Sequence, residues 1–121
     1  MATRVAVMAT YDAELYLTAF ENMEALRKTV YAVLATPEYG GMVSGDRLEF
    51  GSHGSIRVGM VRRYPNLEEL VEAEGWQCLV PEADSATNAI SLVRAVDEWD
   101  ANQESQVGVL AIRVRDVKRK T

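Results

Sequence analysis

This 121-residue chain has a single cysteine, Cys78, and a single histidine, His53. One cysteine rules out an internal disulfide and suits a reducing compartment, so a cytoplasmic location is expected. No set of cysteines and histidines could close a zinc site, and no metal or cofactor is expected. No apolar run approaches the roughly 20 residues that span a bilayer. The start, Met1-Ala2-Thr3-Arg4, lacks the long apolar stretch of a secretory signal. Neither a Gly-rich phosphate loop nor a dinucleotide fingerprint is present. No repeat, low-complexity segment or linker interrupts the chain, so one domain over residues 1–121 is expected.

Positive charge is also scarce. Thirteen Lys and Arg stand against eighteen Asp and Glu, a net charge of −5. A protein that grips nucleic acid through a broad face is usually basic, because phosphate contacts dominate that affinity. Such a role here needs a local basic cluster. The candidates are Arg57, Arg62, Arg63, Arg27 with Lys28, and a basic tail, Arg113, Arg115, Lys118, Arg119 and Lys120. That tail reads equally well as a solvated, frayed end.

What is present is the patterning of an α+β globule. Arg4 to Met8 reads as a strand. Asp12 is placed to cap a helix from Ala13 to about Leu26. Lys28 to Leu34 is β-branched and aromatic, the composition of a strand. Pro37 and Gly40-Gly41 mark a loop. Arg47–Phe50 and Ser55–Arg63 read as strands joined through the Gly51–Gly54 turn. Asn66, with Glu69 three residues on, predicts a capped helix from Leu67 that stops at Gly75. Ser85 caps another helix whose apolar face carries Ala89, Ile90, Leu92, Val93 and Val96. Val107 to Val114 is apolar on both sides except at Arg113, as a central strand would be. Hairpin-linked strands with few helical crossovers predict a mostly antiparallel or mixed, curled sheet.

The run Arg62-Arg63-Tyr64-Pro65 closing one strand, followed by a short helix ending at Glu74-Gly75, places arginines, a tyrosine and a glutamate where a polar pocket could form. An arginine pair beside an aromatic can hold a phosphate and stack a base. The same arginines could instead solvate a strand end and pair with Glu68, Glu69 or Glu72. His53 reads as an exposed turn residue, and Trp76 and Trp99 as packing residues or stacking platforms.

Taken in order, several pieces resemble the ASCH domain, a family with a PUA-like β-barrel. They are Lys28-Thr29-Val30, Gly45-Asp46-Arg47-Leu48-Glu49-Phe50, the Tyr64 to Gly75 run, Leu79-Val80-Pro81 and Gly108-Val109-Leu110-Ala111-Ile112. The resemblance runs from about Tyr11 to Val114. It implies a mixed barrel of about five to six strands with two to three flanking helices. It also implies binding of RNA or a nucleoside-like ligand in a cleft between barrel and helix, because some members are linked to RNA. Other members are amidohydrolases that remove the acyl group from N4-acetylcytidine. Their functional strand reads Gly-x-Lys-Thr, a polar residue, then arginine. Here Lys28 and Thr29 match, Leu26 stands at the glycine, Tyr31 at the polar position and Val33 at the arginine. The implied catalytic set is Lys28, Tyr31 and Glu74, and the ligand-binding set is Arg27, Arg62, Arg63 and Tyr64. A third possibility is an interaction domain that keeps the fold with a degenerate site.

Overall fold

The computed structural model describes residues 8–96 and 99–120. Five strands form one mixed sheet: β1 (Thr10–Asp12), β2 (Val30–Leu34), β3 (Arg47–Glu49), β4 (Gly54–Tyr64) and β5 (Val109–Arg119). Their order across the sheet is β1-β3-β4-β5-β2. β1 runs parallel to β3, and every other neighbouring pair is antiparallel. The sheet curls into a half-barrel, helped by register shifts in the β4–β5 ladder between Ser55 and Arg57 and between Val58 and Val61. The helices are α1 (Leu17–Glu24), α2 (Leu67–Glu74), α3 (Trp76–Leu79), α4 (Ala86–Arg94) and α5 (Ala101–Val107). The α+β class and the mixed, curled sheet are as the sequence implied. No helix among the described residues is long and apolar enough to cross a membrane.

Strand alternation gives the sheet two cores. On one face, α1 sends Phe20 and Met23 against Leu48, Ile56, Val58, Leu110 and Ile112. On the other, α2, α3 and α4 pack Leu67, Leu70, Leu79 and Ala89 against Val30, Ala32, Leu34, Val109 and Ala111. β5 feeds both cores and lies between β4 and β2, which explains its unbroken apolar run. Gly54, at φ 152°, starts β4 beside α1. A Cβ there would stand 2.1 Å from the Lys118 carbonyl and 2.6 Å from the Phe20 ring, so no side chain fits.

Several local expectations gave way to longer-range pairing. The expected strand at Arg4–Met8 lies outside the described residues except for Met8, which is not in a strand. Asp12 does not cap a helix. It ends β1, and the Ala13 N–H continues that pairing to the Glu49 carbonyl at 2.9 Å. α1 therefore starts only at Leu17, with no side-chain cap. The basic tail is not a frayed end: β5 runs on to Arg119, which pairs with Glu24 of α1. Two short helices, α3 and α5, were not anticipated. Val107 closes α5 instead of opening the strand. Asp100 caps that helix by accepting the Asn102 N–H, and Gly108 ends it at φ 81°. The Asn66 and Ser85 caps form as expected, accepting the Glu69 and Asn88 N–H groups.

The helical layer is tied together by Glu104 of α5, which is 4% exposed. One of its oxygens accepts from Arg94 Nε at 3.0 Å and the Trp99 indole at 2.9 Å. The other accepts from Arg94 Nη2 at 2.6 Å and from the Leu67 N–H, which opens α2, at 3.0 Å. Arg94 also forks onto Glu68 at 2.8 Å. Burial alone would raise the Glu104 carboxyl, but the Arg94, Leu67 and Trp99 donors outweigh it and hold the group at about 2. Its folded value lies below the ordinary 4.5, so the stabilisation is present above pH 4.5 and is lost as pH falls toward 2. The linkage amounts to roughly 3 kcal/mol. Urea denaturation of Glu104→Ala at pH 7 should show a loss of about 3 kcal/mol, because Arg94 and the Leu67 N–H lose their acceptor. The variant should also lose most of the wild-type sensitivity between pH 4.5 and 2. An unchanged acid profile would show that Glu104 is not the responsible group.

Candidate functional site

β2 is an edge strand, and a groove of about 1190 Å³ runs along it. The N-terminal side of α1, the 36–39 loop and the Phe50–His53 turn form one wall. Leu79, Val80 and Glu82 with Leu92, Val93, Val96, Trp99 and Gln103 form the other. The apolar side of α4 read from the sequence thus serves partly as groove lining. Glu104 positions this wall, since it bonds Trp99 and lies one residue from Gln103.

Lys28 reaches the groove through an unusual chain reversal. After α1, Leu26 adopts φ 63°, a left-handed conformation that glycine favours, while its side chain is 79% exposed. This is the position where the ASCH-like pattern has glycine. The reversal lets the Arg27 and Lys28 N–H groups both bond the Asn22 carbonyl, at 2.9 and 3.0 Å. Lys28 then sits just ahead of β2, so strand alternation does not force it and Tyr31 onto opposite sides.

Lys28 is buried at 6% exposure, and its Nζ donates to the carbonyls of Val30, at 2.9 Å, and Leu79. The adjacent Thr29 N–H bonds the Cys78 carbonyl at 3.0 Å, so the end of α3 fixes this segment twice. Burial pulls the ammonium down to about 8, against the opposing charge of Glu82. Its Nζ lies 5.8 Å from the centre of the Tyr31 ring. That ring packs edge-on against Phe50 at 5.2 Å, and its hydroxyl donates to the Glu14 carbonyl at 3.0 Å. The groove therefore combines one buried cation with Tyr16, Tyr31, Tyr39 and Trp99. Among the described residues Lys28 is its only Lys or Arg, while Asp12, Glu14, Glu38 and Glu82 supply carboxylates.

The remaining sequence candidates lie elsewhere. Glu74 does not line the groove. Its side chain, 6% exposed, accepts the Tyr64 hydroxyl and lies 3.7 Å from Arg113. The carboxylate that acts on Lys28 is Glu82. Strand alternation separates the arginine pair: Arg63 donates to the Val107 carbonyl, whereas Arg62 rests on Met60 Sδ at 3.0 Å, on the Tyr64 side. The hydrogen bond to Glu74 raises the Tyr64 hydroxyl above its ordinary value. Arg27 is exposed on the α1–β2 connection and lines neither groove wall. His53 is half-buried and lines the groove, with its ring 6.2 Å from that of Phe20. Sequence reasoning missed Glu82, Tyr39 and Glu14, which come together only through folding. Among the described residues no group of three His, Cys, Asp or Glu could hold a metal.

No family model and no curated protein matches the chain. Solved structures do match it. The crystal structure of the hypothetical protein PH0355 superposes with a TM-score of 0.80 at 23% identity, covering 88% of this chain and 97% of that one. The solution structure of protein PF0455 from Pyrococcus furiosus gives a TM-score of 0.72 at 24% identity, covering 88% and 96%. The curled sheet and its helices are thus a recurring architecture. At these identities the likeness shows the fold alone.

Two outcomes follow from the Lys28 segment. Nitrogen NMR of the lysine side chains should find one ammonium that titrates near 8. A set clustered near the usual ~10.4 would show the site open to water. Leu26→Gly should stabilise the protein by about 0.5–1 kcal/mol in urea denaturation, since relief of the left-handed strain exceeds the entropy glycine adds to the unfolded chain.

Proposed function

We propose that this is an ASCH-type domain that binds a nucleoside-like ligand, free or as an unstacked base of RNA, in the groove along β2. The observation that carries this reading is Lys28, a buried ammonium in a largely apolar groove that also carries aromatic rings and carboxylates. Two of its three protons go to the Val30 and Leu79 carbonyls, which leaves one donor for a ligand carbonyl such as that of a pyrimidine. Tyrosine and tryptophan rings stack on bases. Carboxylates accept from sugar hydroxyls and exocyclic amines, and the excess of them repels a phosphate. The uncharged part of a nucleotide suits the groove better than its phosphate does.

A second reading rests on the lowered Lys28 value. A lysine at about 8 is partly neutral at pH 7 and can move protons, as hydrolysis of an N4-acylated cytidine requires. In that reading Glu82 takes the place expected for Glu74 beside the lysine, because Glu74 is held by Tyr64 and Arg113.

Titration with cytidine, N4-acetylcytidine and cytidine monophosphate, followed by amide NMR, separates the readings. Binding predicts shifts at Lys28, Tyr31 and Trp99, weaker affinity for the monophosphate, and a loss of about tenfold in Lys28→Met, in line with one hydrogen bond to a charged donor. Shifts elsewhere, or tighter binding of the monophosphate, would count against it. Acetate released from N4-acetylcytidine, and lost in Lys28→Met, would establish the hydrolase.

A further inference from the structure

The register of the central strands sets three arginines side by side. Arg47 of β3 is paired with Arg57 of β4, and Arg57 is paired with Arg115 of β5. Their neighbours Leu48, Ile56, Val58 and Val114 all pack into the α1-side core. The three arginines therefore project from the opposite face. Lys118, paired with Ser55, continues that face beside the row, and Arg113 and Arg62 extend it along β5 and β4. The helices α2 to α5 cover the β2 half of this face, where Val30, Ala32, Leu34 and Ala111 are buried, and none packs on β3. Arg62, Arg113, Arg115 and Lys118 are exposed, and Arg47 and Arg57 half-buried.

Like charges directly opposite each other in a sheet are destabilising. Here the cost is not relieved internally: among the described residues Arg47, Arg57, Arg62, Arg115 and Lys118 make no ion pair. Among the described residues Arg57 bonds the Gly45 carbonyl, at 3.1 Å, and Met8 Sδ. The contrast lies on β5, the strand of Arg115, where Arg119 points to the other face and is paired with Glu24. Of the carboxylates on this face, Glu74 is engaged by Tyr64 and Arg113, while Glu49 stands between Ser55, in the row of Lys118, and Asp12 of β1. A local basic face thus persists on a chain of net charge −5.

We propose that this sheet face binds the phosphodiester backbone of a nucleic acid, independently of the groove along β2. Adjacent strands lie about 4.8 Å apart, so the arginine row spans roughly 10 Å. At roughly 3.4 Å of axial rise per nucleotide, a row of this length covers about three nucleotide steps of one strand. Guanidinium groups pair phosphates in a two-pronged fashion. The exposed large apolar side chains beside these arginines are Met60 and Met8, and among the described residues the face has no exposed aromatic cluster of the kind that anchors protein partners. Backbone contacts of this kind position a strand without reading its sequence.

The test is fluorescence anisotropy with a 16-nucleotide single-stranded RNA, a 16-base-pair DNA duplex and a polyglutamate peptide, from 50 to 200 mM KCl. Binding of RNA or DNA should weaken linearly on a log–log salt plot. Arg115→Gln and Arg57→Gln should each weaken it at least fivefold and reduce the slope by about 1. Thr18→Glu, an equal charge change on exposed α1, should leave it unaltered. Whether RNA or DNA binds more tightly identifies the source of the phosphates. No nucleic-acid binding at 50 mM KCl, equal losses in Thr18→Glu, or preference for polyglutamate would each overturn the proposal.

Discussion

The buried carboxylate of Glu104 is the constraint on which the helical layer depends. Four donors from three separate places converge on its two oxygens: Arg94 at the end of α4, the Trp99 indole, and the first N–H of α2. A carboxylate this deep costs several kcal/mol to desolvate and persists only if its lone pairs are filled. Filling them fixes the relative placement of α2, α4 and α5. Among the described residues, that placement covers one half of the sheet face with helices and stops short of β3.

Both candidate surfaces follow from this partial covering. Where the helices lie over β2, they leave a groove beside an edge strand, with Lys28 sealed in by the end of α3. Where they stop, the arginines of β3, β4 and β5 stand in register. The net charge of −5 is therefore an average over unlike regions. Among the described residues the groove holds four carboxylates around one lysine, and the sheet face that the helices leave uncovered concentrates cations. A base or sugar suits the first environment and a phosphate chain the second.

The Leu26 turn holds a left-handed backbone at a residue other than glycine. Glycine is the easy residue for such a backbone, and this chain adopts it with leucine. The strain is tolerated because the Asn22 carbonyl accepts two N–H groups there and the turn delivers Lys28 to its carbonyl cage. Glu74, expected from the sequence to join Lys28, is instead engaged by Tyr64 and Arg113.

Sequence alone determined what local chemistry can decide. The α+β class, the Asn66 and Ser85 caps, the β3–β4 hairpin and the two-sided burial of β5 were legible because alternation and capping act over a few residues. It also supplied Lys28 and Tyr31. It misjudged Asp12, whose segment pairs with a strand more than 30 residues later, and the basic tail, whose partner is β4. Only the tertiary structure decided that Glu82 is the carboxylate acting on Lys28, that Glu104 gathers three helices, and that Arg47, Arg57 and Arg115 form one row. Those facts depend on register and on contacts between distant segments, and no local propensity encodes either.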